Sequence, residues 1–317
     1  MKAVVIRRFG GPEVLELAEL PTPEPRAGEV RIRVQAAAVN PVDVATRAGV
    51  LADHGLMPAT IGQIGIGWDL AGVIDAVGPE VDRFTVGDAV IGMRDLLSAP
   101  LGAQAEFVVL DIDGVAPAPR HLSAAEASTI PLNGLTADQA LDLLALREGQ
   151  WLLVTGAAGA VGGFALQLAR ARGLKTVAVA APADEPLVGE LGADAFVART
   201  DDLGAAVRRI YPRGVDGALD AAVVGISALD AVRDGGSFVA VAAGGAPTPL
   251  RGTRVHNVWI RTDAPRLTRL AALADAGQLT PRVAGMDRLE HVAAVHRRLA
   301  AGGLRGRVVL APGAVAA

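Results

Sequence analysis

The chain has 317 residues, 51% of them hydrophobic and 20% charged, with a net charge of −4 at pH 7 and no cysteine. That length and hydrophobic content suit one large domain or two modest ones around well-filled cores, and they exclude wholesale disorder. The acidic balance offers no attraction to nucleic acid or an anionic membrane, and the missing thiols exclude disulfides, thiolate catalysis and cysteine-ligated zinc.

The first third predicts strands and turns. "KAVVIRR", "EVRIRVQAAAV", "DLAGVIDAVG", "GDAVIGM" and "AEFVVLD" are short β-branched runs bounded by Gly, Pro and Asp, and "PTPEPRAGE" (21–29) reads as a proline-rich connector. From Ser123, a candidate N-cap, the pattern predicts helix in two pieces through "SAAEASTIPLNGLTADQALDLLAL". Strand and helix then alternate: "QWLLVTG", "GGFALQLARARG", "KTVAVAA", "DEPLVGELG", "GADAFVA", "DDLGAAVRRIYPRG", "VDGALDAAV", "ISALDAVRDGG" and "SFVAVAAGG". Apolar strands alternating with helices imply a parallel sheet covered on both faces, an α/β class. Two amphipathic helices, "DAPRLTRLAALADAGQ" and "LEHVAAVHRRLAAGG", and a last strand, "RGRVVLAP", close the chain. No stretch approaches the roughly 18 uninterrupted apolar residues of a membrane span, and the N-terminal apolar run is too short for a signal peptide. A cytoplasmic protein with no membrane partner is expected.

Chemistry concentrates in "VTGAAGAVGG". The turn follows a strand and opens a helix, with Gly156, Gly159 and Gly162 at three-residue spacing and Ala157, Ala160 and Val161 between them. Small residues there let the backbone approach a pyrophosphate at the positive end of the helix, and no acidic side chain opposes it. Tight helix–strand packing would select the same glycines. An NAD site usually has an acid at the end of the next strand, on the ribose 2′-hydroxyl. Here Ala180 and Ala181 stand there, which leaves room for the 2′-phosphate of NADPH. Asp184 lies close but also fits as a helix N-cap with Pro186 in the first turn. Arg199, after the following strand, is either a cation for that phosphate or a solvated side chain.

Eight segments in order carry a family resemblance: "GGPEVLEL" (10–17), "AAAVNPVDVATRAG" (36–49), "GWDLAGVIDAVG" (67–78), "FTVGDAVIGM" (84–93), "PLNGLTADQAL" (131–141), "GAAGAVGG" (156–163), "LGADAFV" (191–197) and "GRVVL" (306–310). With them the chain resembles a medium-chain dehydrogenase/reductase of the zinc-independent quinone oxidoreductase (zeta-crystallin-like) branch. The resemblance implies a Rossmann doubly wound parallel sheet plus a GroES-like β-barrel catalytic domain. The barrel would comprise 1–122 and the returning segment 262–317, and the Rossmann domain 123–261. It also implies an active site in the cleft and a homodimer through the Rossmann sheet edges. In zinc-dependent relatives a Cys, a His and a second Cys hold the metal; the matching positions here are Asn40, Trp68 and Leu132, which implies a metal-free site.

The activity so implied is hydride transfer from NADPH to a quinone or an α,β-unsaturated carbonyl. By resemblance Asn40 lies beside the nicotinamide and donates to the substrate oxygen, although an Asn before Pro41 also suits a turn. Thr136 would meet the nicotinamide-side phosphate or ribose, unless it caps a helix. Asp43 would organise its loop, and Arg47 would pair with Asp43 or Asp69. Relatives that reduce enoyl thioesters often have a tyrosine proton donor in the N-terminal domain, whereas the only tyrosine here is Tyr211, in the Rossmann half. His54 is the one histidine near the pocket loop, and a solvated loop histidine is the favoured reading. Two further readings stay open: an enoyl reductase or tailoring enzyme of a biosynthetic pathway, and a non-catalytic NADPH-binding redox sensor.

Overall fold

The computed structural model describes residues 1–313, which fall into two compact units. Residues 1–132, 261–277 and the segment from 281 onward form the first; 133–260 with 278–280 form the second.

In the first unit β1 (Lys2–Ile6) pairs antiparallel with β2 (Glu16–Glu19), and β3 (Glu29–Val39) is the long central strand. The burial of β3 explains its place. Val30, Ile32 and Val34 point inward between more exposed neighbours, and then Ala36 to Val39 are all buried. A strand covered on one face and then on both needs different neighbours along its length. After the turn come α1 (Pro41–Ala48), α2 (Val50–Asp53), β4 (Ile64–Gly65), β5 (Asp69–Val77), β6 (Ala89–Met93), β7 (Phe107–Asp111) and β8 (Val115–Pro117). β7 pairs with the first half of β3 (Glu29–Arg33), while β5 runs along most of it. Next, α3 (Ala124–Ala127) is capped by Ser123, whose hydroxyl accepts from the Glu126 N–H, and packs on β3 and β5. That packing keeps Ser123–Leu132 with the first unit, so the expected boundary at 122/123 lies ten residues later, at 132/133.

α4 (Ile130–Leu144) leads into the second unit, a six-stranded parallel sheet. Its elements are β9 (Trp151–Thr155), α5 (Ala160–Ala171), β10 (Lys175–Ala180), α6 (Glu185–Glu190), β11 (Ala195–Ala198), α7 (Leu203–Ile210), β12 (Val215–Asp220), α8 (Ile226–Asp230), β13 (Val232–Ala240) and β14 (Arg254–Asn257). The strand order is β11-β10-β9-β12-β13-β14, the doubly wound pattern whose order reverses between β9 and β12. Leu152, Leu153 and Val154 are fully buried, as a strand with covers on both faces requires. Tyr211 belongs to this core, its ring 4.1 Å from that of Trp151. Helix α8 stops at Asp230, earlier than "ISALDAVRDGG" suggests, because Val232 already pairs with Val215 in the sheet.

The rest of the chain is α9 (Ala264–Asp275), β15 (Val283–Arg288), α10 (Val292–Ala301) and β16 (Arg307–Ala311). β16 pairs antiparallel with the second half of β3, Val309 opposite Ala38, so this tail is part of the first unit's sheet.

Candidate functional site

The second unit presents its glycine turn at the carboxyl end of β9, at the reversal of strand order. Each glycine meets a different demand. Gly156 has φ +60, a backbone that side chains rarely adopt, and a Cβ there would lie 3.2 Å from the Ala222 Cβ. Gly162 faces the turn so closely that a Cβ would come within 2.3 Å of the Gly156 carbonyl oxygen and 2.8 Å of the Ala157 Cα. Gly159 differs. It is the N-cap of α5, its N–H donates to the Gly156 oxygen at 2.8 Å, and its Cβ would meet only that oxygen, at 3.0 Å. Two glycines therefore serve the turn's own packing, and the third keeps an open face at a helix N-terminus whose first turn has no acid. Ala157, Ala160 and Val161 are buried beneath it. A dinucleotide pyrophosphate fits this acid-free helix N-terminus, where no side chain fills the approach at Gly159.

Asp220, which ends β12, had no role in the sequence reading. Its carboxylate accepts from the Thr155 hydroxyl and from the N–H groups of Ala222, Val224 and Gly225, so it pins the loop after β12 beside the glycine turn. Within that loop Val223 adopts φ +57, an unusual state for a β-branched residue. The only sequence signal is an acid at the end of an apolar strand.

The N–H of Arg199 donates to the Ala180 oxygen at 2.8 Å, which puts the residue directly beside the end of β10. Its side chain is exposed and makes no ion pair among the described residues. Asp184 occupies the N-cap position of α6, with Pro186 in the first turn, but it makes no side-chain cap hydrogen bond and is buried. Position alone was legible; the capping bond expected there does not form. Thr136 lies inside α4, so it caps nothing.

In the first unit the sequence-predicted residues assemble around a buried carboxylate. Asn40, the N-cap of α1, is fully buried; its Nδ2 donates to Asp69 Oδ1 at 2.8 Å and its Oδ1 accepts from Arg307 Nε at 2.9 Å. The Leu132 N–H donates to Asp69 Oδ2 at 3.2 Å. Asp43 accepts from the Asn40 N–H at 2.8 Å and from Gln104 Nε2 at 3.4 Å, organising the loop as expected. The resemblance has Asn40 donating to a substrate oxygen. In this structure its amide is engaged with Asp69 and Arg307, which ties it into the network. Arg47 pairs with neither Asp43 nor Asp69; its Nη1 donates to the Gly10 oxygen. His54 is exposed and its Nδ1 contacts the Val50 oxygen at 2.7 Å, as in a solvated loop.

Burial pushes both carboxyls up, Asp43 to about 7 and Asp69 to about 8, the latter also raised by Asp43; burial lowers Arg307 to about 10. Arg307 is the member of this network that sequence reasoning missed. His296, on α10, is fully buried with neither ring nitrogen partnered, and burial lowers it to about 4, with help from Arg47.

Residues 26–120 match the family model of the alcohol dehydrogenase GroES-like domain, and residues 160–262 match that of the zinc-binding dehydrogenase. Quinone oxidoreductase of Mus musculus is 37% identical over 182 residues, 57% of this chain and 52% of that protein. The match thus spans about half the length of that curated relative. Erythronolide synthase EryA2 of Saccharopolyspora erythraea is 39% identical over 196 residues, 60% of this chain and 5% of that protein. A crystal structure described as an NAD-dependent alcohol dehydrogenase is 33% identical, has a TM-score of 0.85 and is matched over 99% of this chain and 100% of its own.

Proposed function

Because the chain belongs to the medium-chain dehydrogenase/reductase superfamily, in its quinone oxidoreductase branch, we propose that it is a zinc-independent, NADPH-dependent reductase of quinones or α,β-unsaturated carbonyls. One observation carries the reading. The positions where zinc-dependent relatives hold the metal are here Asn40, Trp68 and Leu132, and two of them are hydrogen-bonded to Asp69 in a network completed by Arg307. An amide, an indole and an alkyl side chain are not a zinc donor set. A substrate carbonyl must then be activated by hydrogen bonds and protons alone, and conjugate reduction suits that, since the charge develops on an enolate or hydroquinone oxygen. When bound, the nicotinamide supplies the hydride.

The chain's own residues have definite parts in this reading. The open face at Gly159 receives the pyrophosphate, and Gly156, Gly162 and Asp220 hold the turn and loop that form it. Ala180 leaves space at the end of β10 and Arg199 supplies a cation beside it, which supports NADPH over NADH. Thr136 remains a proposed ligand on the nicotinamide side. Titration of the purified protein with NADPH and NADH, followed by an acceptor screen with quinones and enones, tests the reading. Tight NADPH binding with turnover of either acceptor is expected. Binding with no acceptor reduced would favour a redox-sensing role and overturn it. Reduction of an enoyl thioester in a biosynthetic assembly is a second reading, favoured by the identity with erythronolide synthase; a panel that includes carrier-bound enoyl thioesters separates the two.

We also propose a homodimer through β14. That strand is the last in the sheet, paired only with β13 among the described residues, and the nearby Trp259 is 61% exposed. Light scattering should give twice the monomer mass, and Trp259→Glu should shift it toward monomer.

A further inference from the structure

Thr155 and Asp220 end the two strands between which the order of the second unit's sheet reverses, and they stand opposite each other in the register of β9 and β12. Both are almost wholly buried. The Thr155 hydroxyl donates to Asp220 Oδ1 at 2.5 Å, and its oxygen accepts from the Ala222 N–H at 3.1 Å. Asp220 Oδ1 also accepts from the Val224 N–H at 3.1 Å, and Oδ2 from the Gly225 N–H at 2.7 Å. The amides of one short loop are thus gathered onto two side chains, and the carboxylate is met by a hydroxyl and by loop N–H groups. A buried carboxylate is a costly way to close a loop unless its acceptor sites are used, and here both oxygens are.

The loop so held has a shape it would not take alone. Val223, at φ +57, is in a backbone state that a β-branched residue keeps only where its surroundings impose it, and such residues gather at ligand sites. The same shape turns apolar side chains outward: Val223 is 59% and Val224 36% exposed. On one side the loop touches the glycine turn, since a Cβ at Gly156 would lie 3.3 Å from the Ala221 carbonyl carbon. On the other it meets the loop after β13, where a Cβ at Gly245 would lie 3.5 Å from Val223 Cγ1. That second loop is tied down by Asn257, whose Nδ2 donates to the Ala242 oxygen at 3.1 Å. The two loops therefore extend the turn along the carboxyl edge of the sheet, the edge at which doubly wound sheets bind ligands. A dinucleotide seated by its pyrophosphate at Gly159 meets the valine ledge next, and exposed methyl groups suit the face of a planar ring rather than a phosphate.

We propose that Thr155 is a positioning residue for the dinucleotide: with Asp220, its hydroxyl holds Ala222–Gly225 as an apolar ledge against a ring of the bound cofactor. The inference rests on the dinucleotide-binding reading above. Thr155 is fully buried and its hydroxyl is committed to Asp220 and Ala222, so it acts on the cofactor only through the loop. Removing the hydroxyl takes a donor from Asp220 and an acceptor from the Ala222 N–H together, which frees Val223 to leave its left-handed state. An amide in place of the Asp220 carboxylate fails for a related reason. Its NH2 cannot accept, so either Gly225 or the group on Oδ1 loses its partner.

Calorimetric titration with NADPH, joined to steady-state kinetics with benzoquinone, tests this. Thr155→Val keeps the branched shape and removes the hydroxyl; the NADPH dissociation constant and the KM for NADPH should each rise about tenfold, while kcat and the KM for benzoquinone stay within about twofold. Thr155→Ser retains the hydroxyl and should bind NADPH as wild type does. Asp220→Asn should weaken NADPH binding as Thr155→Val does, and the double variant should lose no more than the weaker-binding single, because both changes release one loop. If Asp220→Asn fails to fold, the Thr155 pair decides the matter. A folded Thr155→Val protein with wild-type NADPH affinity, a Thr155→Ser protein as weak as the valine variant, or a kcat that falls as far as affinity does would each overturn the inference alone. Wild type that binds neither NADPH nor NADH would overturn the reading beneath it, and if benzoquinone is not reduced the titrations still decide.

Discussion

Replacing Gly159 with Asp separates the turn's binding duty from its packing duty. The backbone there is extended (φ −77, ψ 177) and caps α5, and an added Cβ would meet only the Gly156 oxygen, at 3.0 Å. Asp is among the preferred N-cap residues, so the variant should fold and melt within about 1 kcal/mol of wild type. A pyrophosphate is affected differently. A carboxylate roughly 4 Å from a phosphate charge costs about 4 kcal/mol at an effective dielectric constant near 20. Solvent screening reduces this to about 3 kcal/mol, or on the order of a hundredfold in dissociation constant. Gly162→Ala is the contrast, because its Cβ would sit 2.3 Å from the Gly156 oxygen and must push the helix from the turn, at about 1–3 kcal/mol of stability. Fluorescence titration with NADPH, paired with urea unfolding, reads both variants. A Gly159→Asp protein that binds NADPH as wild type does would refute the placement of the pyrophosphate.

Arg199 should give NADPH about a tenfold advantage over NADH through one charge-assisted contact at an exposed site, and Arg199→Ala should erase most of it while sparing NADH; a wild type that prefers NADH would count against the assignment. Activity should survive chelators and the purified protein should lack stoichiometric zinc by elemental analysis, whereas loss on chelation with recovery on adding zinc would defeat the metal-free reading. His296 is lowered from 6.5 to about 4, so the stability it contributes is complete above 6.5 and is lost as pH falls toward 4, a change of roughly 3 kcal/mol. His296→Leu should flatten that acid limb in urea titrations at pH 7, 6, 5 and 4.5, and parallel curves for the two proteins would sink the argument. Asp43 and Asp69 act in the opposite sense: their raised values favour the folded state below about 4, and that contribution is lost as pH rises through about 7 and 8.

The sequence by itself determined what is local. A strand, three spaced glycines and a helix suffice to specify the turn at Gly156–Gly162, because φ values, cap positions and helix polarity involve residues within one or two turns of one another. The alternation of apolar runs likewise made the second unit legible as a parallel sheet. Less periodic elements were not: Val283–Arg288 is partly exposed and contains Gly285, so nothing in its pattern marks it as a strand, and only its pairing with β16 makes it one. The buried network is the clearest case of tertiary decision. Asn40 meets Asp69 across 29 positions, Leu132 meets Asp69 across 63, and Arg307 reaches Asn40 across 267. Those partners are chosen by the register of β16 and β5 against β3, which no local preference encodes. The same register seats Asn40 between Asp69 and Arg307. Residue types limited which chemistry was available; the long-range pairing of strands decided which atoms have it to perform.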